Sequence, residues 1–329
     1  MKILAIRVGR TGDIVMITAA LKLILDKWAD AELHVLTSPD GKRVLKNFDD
    51  RLTKVIIYNR KGVKGLIEKA RVKKETNKIA YDEIFCFELN PGFLKILSEQ
   101  RTKISQITQA KTVTNYAQRC LRVVSDKSES QDRWLYLPVK EEGKSLARQQ
   151  LLEQEISESN YVVGFHPSFS ALRKLSFRNR STRNQKGWPA EHFANLAIMI
   201  SDYAAQNNKK ISIIMDLVPE DRGLGEKIVR LSNKKVKLFI PPLNFERYKA
   251  ILQRMDLLVS PDTGPMHIAA AVGTNLVALF AGHDPRDCGP YVPDSQFRIL
   301  RAEDTEHSEM GLGAITPESV FQACKTFLP

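Results

Sequence analysis

Cysteine is scarce. The 329 residues hold four, Cys86, Cys120, Cys288 and Cys324, with no CxxC pair among them. This excludes a disulfide framework and a standard cysteine-rich zinc site, and the four read as free thiols in a reducing compartment. No apolar run approaches the roughly 18 residues that cross a bilayer, which excludes an integral membrane helix. The opening MKILAIRVGRTGDIVM lacks the unbroken apolar stretch of a secretory signal, because Arg7, Arg10 and Asp13 interrupt it. A cytoplasmic location is therefore expected. Acidic residues are in deficit, 38 against 50 Lys and Arg, for a net charge of +12. Such an excess suits nucleic acid, an anionic membrane face or a phosphorylated substrate. Against nucleic acid, the basic residues are not interleaved with aromatics, and the sequence holds no recognition helix or RNA motif.

What is present is an ordinary globular composition, 43% hydrophobic and 27% charged, in a chain long enough for two cores. Strand-like and helix-like runs alternate from the first residues. KILAIRV reads as a strand, Ile14–Trp28 as a helix, AELHVLTS as a strand, Lys42–Phe48 as a helix and KVIIY as a strand. A basic helix over Arg60–Lys78, a strand YDEIFCFE, a helix Thr112–Val124 and a strand-like end at Trp134–Pro138 follow. The charged amphipathic run Lys140–Glu155 precedes a new strong strand, YVVGFHPS, after which the alternation repeats. This is an α/β chain of two parallel-sheet domains, 1–157 and 158–329.

Four constellations stand at predicted strand ends. The first is R-x-G-R-T-G-D, from Arg7 to Asp13. Its glycines permit a tight turn, but the dinucleotide G-x-G-x-x-G spacing is absent. Asp13 is either a helix cap or a carboxylate placed for chemistry. The second is S-P-D-T-G-P-M-H, Ser260 to His267. Asp262 and Thr263 suit a cap and Pro265 a first helical turn, so the backbone N–H groups near Thr263 and Gly264 form an anion site suited to phosphate. His267 lies one turn further on, facing the same side. The third is H-P-S-F, His166 to Phe169, followed by a basic stretch with Arg173, Lys174, Arg178, Arg180, Arg183 and Lys186. It serves an anionic ligand or is a solvated loop. The fourth, A-G-H-D-P-R, places His283 and Asp284 at another strand end, where Asp-Pro is often only a turn. His283, Asp284 and His267 match no standard metal spacing.

Together these residues resemble glycosyltransferase family 9, the heptosyltransferases of lipopolysaccharide inner-core synthesis. The specific part is DTGPMHIAAAVGTNLVALF, Asp262 to Phe280. ILAIRVGRTGDIVMITAAL, VGFHPSF and KGWPAEHF look like further family elements, so the resemblance spans both halves. It departs from the family at Ser168, where a glycine is usual, and at Ala281–Pro285.

The resemblance implies a GT-B architecture, two Rossmann-like domains facing across a central cleft, with residues 316–329 crossing back to the first domain. It implies transfer of heptose from ADP-heptose to the inner core, either lipid A–Kdo or a heptosylated core, with inversion. Asp13 maps onto the family's catalytic base. Ser168, Lys186, Asp262, Thr263, Gly264 and His267 map onto donor-binding positions, and Glu220 is a candidate for the adenosine ribose. Arg10, Thr11, Gly12, Arg60, Lys61 and Lys64 are candidates for acceptor binding, although the basic face after Arg60 is equally read as a solvated helix surface. The implied partners are an acidic phosphorylated glycolipid and the cytoplasmic face of the inner membrane, met peripherally. Neither metal nor cofactor is expected, in keeping with the lack of a clear Asp-x-Asp pair. Two rival readings are a family 9 transferase with another nucleotide sugar and a basic nucleic-acid-binding protein.

Overall fold

In the computed structural model, which describes residues 1–60, 64–110, 112–125, 132–168 and 187–329, the opening run forms strand β1, Lys2–Arg7, with Ile3, Leu4, Ala5 and Ile6 wholly buried. A strand covered on both faces needs no polar alternation, as in the middle of a parallel sheet. β2 (Glu32–Thr37) and β4 (Glu83–Cys86) flank it, with β3 (Leu52–Ile57) and β5 (Ile104–Gln106) outside them. The order is β3-β2-β1-β4-β5, parallel throughout. The connecting helices are α1 (Thr11–Val15), α2 (Thr18–Lys27), α3 (Pro39–Val44), α4 (Lys64–Asn77) and α5 (Tyr116–Val124). Strand order reverses between β1 and β4. The loops leaving these two strands therefore open a crevice at the sheet's C-terminal edge, where ligands bind in such sheets.

The second unit opens with helix α6 (Glu141–Leu152) and strand β6 (Tyr161–Phe165). It continues through α7 (Ala190–Gln206), β7 (Ile211–Asp216), α8 (Arg222–Leu231), β8 (Val236–Phe239) and α9 (Phe245–Arg254). Then come β9 (Leu257–Pro261), α10 (Gly264–Val272), β10 (Asn275–Phe280), α11 (Pro285–Cys288), β11 (Phe297–Arg301) and α12 (Pro317–Cys324). The sheet order is β11-β10-β9-β6-β7-β8 and every pairing is parallel. Here the reversal falls between β6 and β9. The fold class is the expected one, two Rossmann-like units. Among the described residues no helix is long and apolar enough to cross a membrane.

Several boundaries differ from the sequence reading. The units are Met1–Pro138 and Val139–Pro329, so the division comes before α6 and not near residue 157. The reason is local packing. A Cβ on Gly143 would lie 2.5 Å from the Glu246 carbonyl oxygen, so only a glycine lets α6 approach α9 this closely. Residues 316–329, expected to cross back, are built into the second unit instead. Val320, Cys324 and Leu328 join its core, and the Tyr161 hydroxyl donates to the Phe327 carbonyl at 2.6 Å. Ile14–Trp28 is two helices, separated by a tight turn in which Ile17 N–H bonds to Ile14 O at 3.2 Å. Trp134–Pro138 carries no strand.

α6 is also tied to the sheet end by a buried ion pair. Arg247 on α9 grips both oxygens of Asp216 at the end of β7, through Nη1 and, at 3.1 Å, Nη2. Gln150 on α6 bonds to both partners, donating to Asp216 at 3.3 Å and accepting from Arg247 at 2.7 Å. Removing one member leaves a buried charge without its counterion, which typically costs about 3–5 kcal/mol. Arg247→Met is expected to lower stability by that amount in urea unfolding. Adding Asp216→Leu should restore part of it. A stability within about 0.5 kcal/mol of the parent in the single variant would contradict this account.

Candidate active site

In the first unit, the two loops at the strand reversal bring Arg7, Asp13 and Glu88 to one place, joined by Tyr116 of α5 and by Arg60 from the chain after β3. Arg7 ends β1, and its Nη2 donates to Asp13 Oδ1 at 2.6 Å. On its other side Nη1 stands 3.4 Å from Glu88 Oε2, just past the end of β4. The Arg7 guanidinium lies over the Tyr116 ring, 4.6 Å from its centroid. Glu88 Oε1 accepts the Val8 N–H at 2.7 Å, and the Val8 carbonyl accepts from Arg60, so both polar groups of Val8 are fixed by side chains. Asp13 does not itself start α1. Arg10 is the N-cap, and Asp13, three residues on, reaches back so that Oδ2 accepts the Arg10 N–H at 2.8 Å. The capping reading and the chemical reading are therefore compatible. Asp13 is held at both oxygens yet its side chain is 41% exposed, whereas Glu88 is 8% exposed. Burial raises the carboxyl of Glu88 above its ordinary range, against the opposing pull of Arg7 and the Val8 N–H.

Gly9 is required by space. A Cβ there would sit 2.4 Å from Asp13 Cβ and 2.7 Å from its Oδ2. The Gly9 carbonyl accepts from Ser38 Oγ at 2.6 Å, and that Ser38 hydroxyl oxygen caps α3 by accepting Gly41 N–H at 3.0 Å. Thr11 Oγ1 accepts from Arg43 at 3.0 Å, so Thr11 and Arg10 lie beside Asp13 on the same turn. Lys61 lies outside the described residues, as does the side chain of Lys64. The basic face of α4 is partly neutralised. Arg71 bridges Glu68 at 2.9 Å and Glu75 at 2.7 Å, and Lys73 stands 3.4 Å from Glu99.

In the second unit, α10 begins where the sequence reading placed it, with Thr263 as N-cap and Gly264 first in the helix. The Thr263 hydroxyl turns back to the Pro261 carbonyl and to Ser260 Oγ, each at 3.2 Å, so it does not cap the helix. The helix N-terminus thus keeps its positive end directed outward, as an anion requires. Asp262 is oriented from two sides. His283 Nδ1 is 3.0 Å from Oδ2, and the buried His267 places Nε2 3.9 Å from Oδ1. Cys288 joins this group, since Asp262, His283 and Cys288 hold one donor atom each within 4.8 Å of one another. Burial, with three neighbouring aspartates, pushes the Cys288 thiol up to about 12, so it stands there as a thiol. Asp284 is a cap, bound to Arg286 through N–H and guanidinium and held down to about 2 by that pairing.

Ser168 follows β6, on the far side of the strand reversal from Asp262. Its hydroxyl donates to Asp221 Oδ2 at 2.7 Å, and both residues are buried. Glu220, the acid chosen from the sequence, is exposed beside it. Among the described residues, Asp221, Glu88, Tyr116 and Cys288 stand in these clusters without having been candidates from the sequence. Lys186 and the basic stretch before it lie outside the described residues.

A family model described as glycosyltransferase family 9 (heptosyltransferase) matches residues 103–310, more than half of the chain. The lipopolysaccharide core heptosyltransferase OpsX of Haemophilus influenzae is 34% identical over 141 residues, which are 42% of this chain and 39% of that protein. The match thus spans less than half the length of that curated relative. A glycosyl transferase family 9 structure from Veillonella parvula superposes with a TM-score of 0.81 at 18% identity, covering 99% of this chain and 96% of the other. The E. coli heptosyltransferase WaaC with ADP-2-deoxy-2-fluoro heptose gives 0.69 at 14% identity, covering 99% of each chain.

Proposed function

The chain belongs to glycosyltransferase family 9, and from that premise we propose that it transfers heptose from ADP-heptose to the lipopolysaccharide inner core, with inversion. The observation that carries this is Asp13, a carboxylate fixed at both oxygens by Arg7 and the Arg10 N–H while remaining open to a ligand. Such a group accepts the proton of an acceptor hydroxyl as the oxygen attacks the anomeric carbon. Arg10, Thr11, Gly12 and Arg60, with Lys61 and Lys64, bind the acidic acceptor.

Donor binding is assigned to the second unit. The uncapped start of α10 at Thr263 and Gly264 receives the pyrophosphate, whose charge grows as the sugar leaves. Lys186 adds a cation to the same phosphates. Asp262 and His267 form the turn that presents the helix start, Ser168 holds the loop after β6, and Glu220 reaches the adenosine ribose. The ADP-2-deoxy-2-fluoro heptose in the E. coli relative supports ADP-heptose as donor. The acceptor is a phosphorylated glycolipid reached peripherally at the cytoplasmic membrane face.

The test is donor and acceptor profiling with product analysis by mass spectrometry. ADP-heptose with lipid A–Kdo or a heptosylated core is expected to give one added heptose and free ADP. A product only with a UDP- or GDP-sugar would overturn the donor assignment, in favour of the reading that the changed segment at His283 selects another nucleotide sugar.

A further inference from the structure

Glu88 is an acid held where burial disfavours its charge, 80 residues along the chain from Val8, whose N–H it accepts. Its own chain is pinned, since Gln106 on β5 donates to the Glu88 carbonyl at 2.7 Å. From that fixed base the carboxylate makes two contacts, with Arg7 Nη1 at 3.4 Å and Val8 N–H at 2.7 Å. Arg7 carries the first contact on to Asp13 Oδ1, and Val8 carries the second into the turn Gly9–Arg10 that leads into α1. A guanidinium gripped from one side only can swing about its remaining contact, while one gripped from two sides presents a fixed fork.

We propose that Glu88 is a positioning residue for the Asp13 carboxylate, acting through Arg7 and through the Val8 backbone. This rests on the reading of Asp13 as the base. Glu88 itself touches no reacting atom. It sets where the carboxylate stands by opposing Asp13 across the same guanidinium.

The arrangement has a pH consequence. The groups facing Glu88 are Arg7 from β1, Asp13 from α1 and Arg60 from the chain after β3. Cys86 of β4 and Tyr116 and Cys120 of α5 face both Glu88 and Arg7, and Arg119 stands over the Tyr116 ring. Burial raises the Glu88 carboxyl, so it takes up its proton at a higher pH than an ordinary glutamate. Above that pH Glu88 is charged and Arg7 is held from both sides. As pH falls through it, Arg7 loses one anchor and the Asp13 geometry loosens. Turnover therefore declines on the acid side before simple protonation of an exposed carboxylate would require.

The decisive variant is Glu88→Gln, which keeps the side-chain shape and an oxygen for the Val8 N–H. It is expected to lower kcat about tenfold, as a sub-ångström displacement of a reacting group does. The donor KM should stay unchanged, and the acid limb of the kcat profile should move to lower pH. Glu88→Asp, which retains the charge, should keep an acid limb near that of the parent. Wild-type kcat with an unmoved limb in Glu88→Gln, or a change in KM alone, would overturn the proposal. A second readout needs no turnover. The Arg10 amide donates to Asp13 Oδ2, so its proton resonance reports the carboxylate position. It should shift upfield in Glu88→Gln, and in the parent it should follow the acid limb. An amide resonance indifferent to both changes would also overturn the proposal. If no sugar nucleotide is turned over, the functional reading fails, while the amide titration still decides whether Glu88 holds Asp13.

Discussion

Asp13→Asn is expected to reduce kcat by roughly 100- to 10,000-fold, the usual worth of general-base assistance. The substitution keeps the size of the side chain and an oxygen that can accept the Arg10 N–H, now at 2.8 Å. It replaces the carboxylate by a neutral amide too weakly basic to take the proton. Nucleotide affinity should be unaffected, because the donor contacts are assigned to the second unit. Calorimetric titration with ADP and steady-state rates on the same preparation separate the two effects. A rate within a few-fold of the parent would show that the base is elsewhere. Weakened ADP binding at full kcat would instead make Asp13 a donor contact.

The second large effect is expected from the smallest possible change. Gly9→Ala adds one methyl at a point 2.4 Å from Asp13 Cβ, well inside any real carbon–carbon contact. Rotating the Asp13 side chain gives no relief, since its Cβ is the atom struck. Moving the Gly9 backbone gives little relief, because its carbonyl is held by Ser38 and the preceding Val8 is held by Glu88 and Arg60. The displacement therefore falls on Asp13. An error of about 1 Å in a reacting group can cost about 100-fold in rate. We expect that loss in kcat with little change in melting temperature, because Asp13 is not part of the core. Gly223→Ala, where the added methyl would meet nothing within 4 Å, is the matched control and should keep the parental rate. A Gly9→Ala enzyme with full activity would mean that the carboxylate can be moved without consequence.

The place of Asp13, in the first helical turn after β1, is legible in the sequence because its signal is local. A buried strand, two glycines and an acid at a helix start all lie within Lys2–Asp13. The same holds for Asp262–His267, where strand, turn and capped helix are contiguous. Glu88 was not readable, because FCFE looks like an apolar strand with a polar end, and its partners lie on another strand. Asp221 was missed for a different reason. Glu220 and Asp221 are adjacent, and only the short turn after β7 decides that Asp221 points inward to Ser168. The strand β5 leaves no sequence signal because it is three residues long, with Ser105 and Gln106 breaking any apolar run. Helix α6 was assigned to the wrong half. Its amphipathic pattern states that one face is buried but not against what, and the answer lies in Gly143 and Gln150.

That last pairing bears on how such enzymes diversify. Recombination that exchanges halves between relatives would keep α6 with the sheet it packs on if the joint falls between Pro138 and Val139. There the second half keeps α6, and with it the Gln150 bridge to Asp216 and Arg247. A crossover near residue 157 would join a foreign α6 to this sheet. Inheritance of α6 is thus linked to the second unit, although the sequence pattern alone assigns it to the first.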